Sequence, residues 1–107
     1  MGQKNDSIIN AFAKRIKKKI SPCKIILFGS RASGTFKKDS DYDFLLISPQ
    51  FKQYEWEERS AQIYHLKRGI PAAMDIICLT PEEFQKKKSE IGVIQEIARH
   101  GLTVSST

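Results

Sequence analysis

Residues Ile26 to Ile47 read ILFGSRASGTFKKDSDYDFLLI. Two apolar runs flank a stretch of turn formers. The first run, Cys23-Lys24-Ile25-Ile26-Leu27-Phe28, is unbroken from Ile25 and ends at Gly29, which predicts a short strand buried on both faces. Gly29 to Ser40 supplies Gly29, Ser30, Ser33, Gly34, Asp39 and Ser40, the composition of a turn. Asp41 to Ser48 predicts a second strand, closed by Pro49.

Working outward, Ile8, Ile9, Phe12, Ile16 and Ile20 recur at helical spacing, with Asp6 or Ser7 as the cap and Ser21-Pro22 as the stop. On the other side, Lys52 to Arg68 reads as helix, with Trp56, Ile63, Tyr64 and Leu66 as inward candidates, ended by Gly69 and Pro71. Ala72 to Leu79 predicts a third strand. Thr80-Pro81-Glu82-Glu83 carries a capping box, with Thr80 as the cap and Glu83 reaching back. The helix it opens is expected to bury Phe84, Ile91, Ile94, Ile97 and Ala98 and to end near Gly101. Leu102 to Val104 suits an edge strand, and Ser105 to Thr107 a frayed tail. The order predicts one α/β domain over residues 1–107: a small three- to four-stranded sheet flanked by helices.

Composition bounds the function. A chain of 107 residues, 40% hydrophobic and 28% charged, is long enough for one core and is not disordered in composition. No run approaches eighteen apolar residues, which excludes a membrane span, and Met1 to Asn10 lacks the apolar core of a secretory leader. Cys23 and Cys78 form neither a CxxC nor a Cys/His ladder, so zinc and a disulfide framework are disfavoured and a reducing cytoplasm is expected. The net charge of +6 belongs to one segment. Residues 1–24 carry seven Lys or Arg, from Lys4 to Lys24, against the single Asp6; the remainder carries 11 of each sign. A cluster such as Lys14 to Lys19 is more often a solvated helix face than a nucleic-acid site, so that reading ranks third, below the two developed from the acids. His65 and His100 are isolated, and Tyr54, Trp56 and Tyr64 suit a core or a partner surface better than a base-stacking platform.

Three aspartates stand in unusual places. Asp41 and Asp43 open an apolar strand two residues apart, where alternation puts both side chains on one face, roughly 7 Å apart. Two carboxylates so placed repel, which calls for a raised pKa or a bound cation, and hard divalent cations take oxygen ligands. Asp75 interrupts Ala-Ala-Met-Asp-Ile-Ile-Cys-Leu, with no other charge between Arg68 and Glu82. If the second and third strands are neighbours, all three acids can meet. Taken singly, Asp41 suits a turn and Asp75 an exposed edge strand; together they favour metal. Tyr42, between the two acids, should face the other side and pack. Gly29-Ser30 permits close approach of a phosphate. Gly29 to Gly34 mimics the start of a P-loop, but Thr35-Phe36 follows where that motif requires lysine, so the motif is rejected.

The run Gly29-Ser30-Arg31-Ala32-Ser33-Gly34, followed by Ser40-Asp41-Tyr42-Asp43-Phe44 and a later acid at Asp75, resembles the polymerase-β-type nucleotidyltransferase superfamily, and most closely its minimal members. Ser33 stands where the family commonly has arginine. The resemblance implies a polymerase-β-like fold, with Asp41 and Asp43 holding two magnesium ions. Asp75 would complete one metal site and help deprotonate the acceptor hydroxyl. Gly29 and Ser30, assisted by Arg31, would hold the phosphates of a nucleoside triphosphate, usually ATP. The acceptor would attack the α-phosphate and release pyrophosphate. About 28 residues follow the third strand, so acceptor recognition is expected from a second subunit or from the acceptor itself. Similar short chains are antitoxins paired with an all-helical HEPN RNase toxin, which they adenylylate or simply mask. Masking by contact alone is the alternative reading.

Overall fold

The computed structural model describes residues 6–105. The Asp6 carboxylate accepts the N–H groups of Ile8 and Ile9 and so starts α1, Ser7–Lys19. Ile9, Phe12 and Ile16 form its buried stripe, while Lys14 and Lys17 to Lys19 are exposed. Strand β1, Lys24–Phe28, is buried through its centre. The turn-rich stretch contains a single helical turn, α2, Ser30–Ser33, before β2, Tyr42–Ile47. A 3-10 turn, Pro49–Gln53, follows because Ser48 Oγ accepts the Gln50 N–H and Pro49 fits the first position. Helix α3, Trp56–Leu66, β3, Met74–Leu79, α4, Pro81–Lys87, α5, Val93–His100, and β4, Leu102–Ser105, complete the order.

The mixed sheet has the order β3-β2-β1-β4, with β1 antiparallel to both β2 and β4 and β2 parallel to β3. The parallel pair is the one that needs a crossover, and α3 provides it. Alternation divides the core in two. Ile25, Leu27, Phe44 and Leu46 meet Phe12 and Ile16 of α1 and Ile63 of α3. Ile26, Leu45, Ile47 and Leu79 meet Ile94 and Ile97 of α5, with Phe84 of α4 packed beside them.

Several expectations need correction. The helix foreseen over 52–68 begins only at Trp56, since the 3-10 turn takes the preceding residues. Trp56 and Tyr64 lie outside the core, 53% and 42% exposed. The last helix is two helices. Gly92, with φ 155°, caps α5, and the break leaves Ile91 98% exposed and Ala98 on the wet side. Ser105 closes β4 and is not frayed tail. Ser106, Thr107 and Lys4 lie outside the described residues. Cys23 and Cys78 are buried free thiols, and burial pushes both up to about 12, so neither is a nucleophile at neutral pH. Among the described residues no helix is long and apolar enough to cross a membrane.

Candidate active site at the ends of β1, β2 and β3

The parallel pairing of β2 with β3 sets Asp43 beside Asp75, and the antiparallel pairing with β1 sets Phe28 on the other side of Asp43. Asp43 and Asp75 share the face of Leu45, Ile77 and Leu79, the one covered by α4 and α5. Strands lie about 4.8 Å apart, so the sheet spacing itself holds two carboxyl groups together. Asp43 feels the consequence. Its carboxyl is pushed above the usual range first by burial, then by the charge and hydrogen bonding of Asp75, then by the charge of Asp41.

Asp41 precedes β2 and is exposed. β3 is an edge strand and Asp75 is exposed on it, yet it still faces Asp43. Among the described residues no three of the His, Cys, Asp and Glu side chains stand close enough together to hold a metal ion. The three acids therefore form a facing pair with a third carboxylate alongside. That donor set of hard oxygens, with burial first and then repulsion raising the pKa of its central member, fits a divalent cation.

Gly29 makes room for this pair. Its φ of 74° and ψ of −155° lie in a region essentially reserved for glycine. A β-carbon there would stand 3.1 Å from Asp43 Cγ, with Asp43 Oδ2 closer still. The glycine thus lets the backbone at the end of β1 pass against the carboxylate. Ser30 follows at once, half-buried, at the start of α2.

Arg31, expected to assist at the phosphates, is in α2 with its guanidinium bonded to the loop before β2. The side chain is 9% exposed. Its Nε and Nη2 donate to Ser40 O at 3.3 and 3.0 Å, and Nη2 donates to Lys38 O at 3.1 Å. The guanidinium lies over the rings of Tyr42 and Phe36, 4.2 and 4.4 Å from their centroids. Arg31 ties the loop before β2 back onto α2, and so positions Asp41 relative to Ser30. Ser33 is exposed and its hydroxyl bonds locally, to Ser30 O and Thr35 Oγ1.

The sequence reading missed two buried anchors. Tyr42 packs on the α1 face as expected, but its hydroxyl also donates to Asp6 Oδ2 at 2.9 Å, which joins the α1 cap to the strand that carries Asp43. Arg59 of α3, 7% exposed, pairs with Glu83 at 2.6 Å and donates to Cys78 O at 3.3 Å. Glu83 also accepts the Thr80 N–H at 2.8 Å, so the cap of α4 is locked to α3. The Arg59 guanidinium is the first cause holding the Glu83 carboxyl below its usual range. No local signal marks Arg59, because its partner lies 24 residues away.

An apolar groove of about 280 Å³ opens beside Gly29, between α2 and α5, lined by Phe28, Ala32, Val93 and Ile97 with Glu96 and His100 at its border. A wider cavity of about 590 Å³, lined by Tyr42, Ser40, Lys38 and Ala73 among others, adjoins the loop that carries Asp41.

The model of the nucleotidyltransferase domain family matches residues 9–100. No curated protein matches the sequence. Among solved structures, the chain is similar to a candidate nucleotidyltransferase at a TM-score of 0.63 and 19% identity, covering 94% of this chain and 100% of the other. It is similar to a chain from a toxin–antitoxin structure with AMP-PNP at a TM-score of 0.64 and 19% identity, over 92% and 73%. BolA1 from Arabidopsis thaliana reaches a TM-score of 0.59 at 17% identity, over 73% and 96%. At these identities the likenesses concern the fold alone.

Proposed function

Since the chain belongs to the nucleotidyltransferase domain family, we propose that it transfers a nucleoside monophosphate, AMP from ATP, to a hydroxyl of a partner protein, and that it serves as antitoxin to a HEPN-type RNase. One observation carries the reading: Asp43 and Asp75 stand in register on neighbouring strands, against the glycine that opens the Gly29-Ser30 corner. Charged groups this close, one of them with a raised carboxyl, suit a divalent ion better than an isolated fold.

Asp43 and Asp75 would share a magnesium ion, and Asp41, Asp43 and the triphosphate would hold a second. When bound, the metal pair neutralises the charge that develops on the phosphoryl oxygens. Asp75 would accept a proton from an incoming hydroxyl, a role that its exposure on the edge strand supports. Gly29 and Ser30 would take the β- and γ-phosphate oxygens, since that corner carries no β-carbon at its first residue. The groove between α2 and α5 suits a nucleobase in size and apolar lining. Arg31 acts at one remove, by fixing the loop of Asp41. The structural neighbour with AMP-PNP supports both the donor and the antitoxin reading.

The test uses magnesium, α-phosphate-labelled nucleotides and an extract of the host, read on a denaturing gel. A labelled protein band with wild type and none with Asp41→Asn/Asp43→Asn is expected. Equal labelling by both would overturn the reading. A partner that co-purifies and is neutralised equally well by Asp75→Asn, with no label, would establish masking by contact.

A further inference from the structure

We propose that the face built by α1 and α3, on the side of the sheet away from the carboxylates, binds single-stranded nucleic acid. Residues 7–38 contain no acid, and neither do residues 59–74. Packing brings these two stretches together, with Phe12 and Ile16 against Ile63 in one core. Arg15 secures the junction by donating to the carbonyls of Leu66, at 3.1 Å, and Arg68. Lys14, Lys18, Lys19 and Arg68, on the two stretches so joined, are exposed. The acids on these elements stand at the starts of the helices: Asp6 at α1, and Glu57 and Glu58, both exposed, in the first turn of α3, beyond the stretch from residue 59 onward. Asp6 caps α1, and Glu58 accepts the Glu55 N–H at the start of α3.

A solvated lysine face would be featureless between its charges, and this one is not. A groove of about 270 Å³ runs between the end of α1 and α3, and Lys19, Tyr54, Gln62 and His65 line it. Two rings and an amide beside Lys19, with the other exposed cations on the adjoining stretches, are the parts of a single-strand site: phosphates on the basic side chains, bases on the aromatic faces. Asp43 and Asp75 share the opposite face of the sheet, so a polyanion here does not cover them. The proposal therefore stands apart from the nucleotide-transfer reading.

The experiment is fluorescence anisotropy of the full chain with a labelled twelve-nucleotide oligouridylate, titrated at several salt concentrations. Four phosphate contacts on a single strand give a log–log salt slope of about −3, or about a 50-fold loss of affinity between 50 and 200 mM salt. Lys18→Gln/Lys19→Gln/Arg68→Gln, all at exposed positions, should cut the slope to about −1. Tyr54→Ala should weaken binding about tenfold and leave the slope unchanged. Asp41→Asn/Asp43→Asn should bind as wild type does. Circular dichroism confirms that each variant is folded. A flat salt dependence, or a triple variant with the parent slope, would overturn the proposal. Polyglutamate of equal charge competing as well as the oligonucleotide would also overturn it and assign the face to an acidic protein.

Discussion

Replacing Gly29 by alanine tests the site at its tightest point. The added methyl would stand 3.1 Å from Asp43 Cγ and 3.4 Å from its Cβ, with Oδ2 nearer than either. Real β-carbons essentially never approach another heavy atom within 3.0 Å, so the carboxylate must swing away. The backbone adds a second cost, because φ 74° with ψ −155° is strained for any L side chain, by about 1–3 kcal/mol. Together these predict a fall in Tm of about 10 °C for a domain of this size. Displacing a positioned carboxylate by about 1 Å should lower nucleotide transfer about 100-fold at temperatures where the variant is still folded. Calorimetry and the labelling assay read the two effects separately. Repeating the substitution in an Asp43→Ala background removes the collision and leaves the strain, so the second step should cost less than the first. Wild-type Tm and transfer in Gly29→Ala would refute the close approach. Equal costs in both backgrounds would refute the collision and leave only strain.

Other perturbations have definite signs. The Asp43 carboxyl is raised in the fold by burial, Asp75 and Asp41, so its favourable contribution is complete below the unfolded value, about 4, and is lost as pH rises through the folded one. In chelator, Asp43→Asn should therefore melt higher than wild type at pH 7, with the gap closing toward pH 4. Millimolar magnesium should raise the melting temperature of wild type and not that of the variant. Glu83 has the opposite sign: Arg59 lowers it, so the pair stabilises above the unfolded value and is lost as pH falls through the folded one. Glu83→Gln keeps an acceptor for the Thr80 N–H but leaves Arg59 without its charge partner. A loss of about 1–2 kcal/mol near pH 7, discounted for a Glu83 side chain that is 35% exposed, should shrink below pH 4.5 in urea titrations. Arg31→Lys keeps the charge but not the planar fork that holds Ser40 O and Lys38 O. It should make residues 35–41 more sensitive to limited proteolysis and reduce transfer about tenfold.

What could be read before folding was whatever local chemistry announces. Asp6 announces a helix start, Thr80 and Glu83 a capping box, and the apolar runs around Ile26, Leu45 and Ile77 three strands. Asp43 and Asp75 were legible because the one opens an apolar run and the other interrupts one, and their meeting followed once β2 and β3 proved to be neighbours. The errors share a cause. Periodicity counts residues without knowing where a helix stops, so it carried Ile91 inward across the break before Gly92, and it drew Trp56 and Tyr64 into a core that Ile63 and Phe51 fill. Arg31 was read from its place in a motif; its bonds to the loop carbonyls were not legible, because only the turn of the chain brings those carbonyls within reach. Arg59 was invisible, because a buried arginine declares itself only through a partner distant in sequence.

The parallel register of β2 with β3 has a bearing on how the chain can tolerate insertions and deletions. Asp43 meets Asp75 in the same ladder that pairs Leu45 with Ile77 and Ile47 with Leu79. Side chains alternate, so a slip of one residue would send Asp75 to the α1 face and turn the apolar set outward at the same time. The spacing of the acids is thus quantised in steps of two residues, and the oil-filling of the core acts as its proofreader. Length changes between residues 67 and 73 fall in the connection and leave the pair in place, while a single deletion between residues 76 and 79 disrupts core and carboxylates in one stroke.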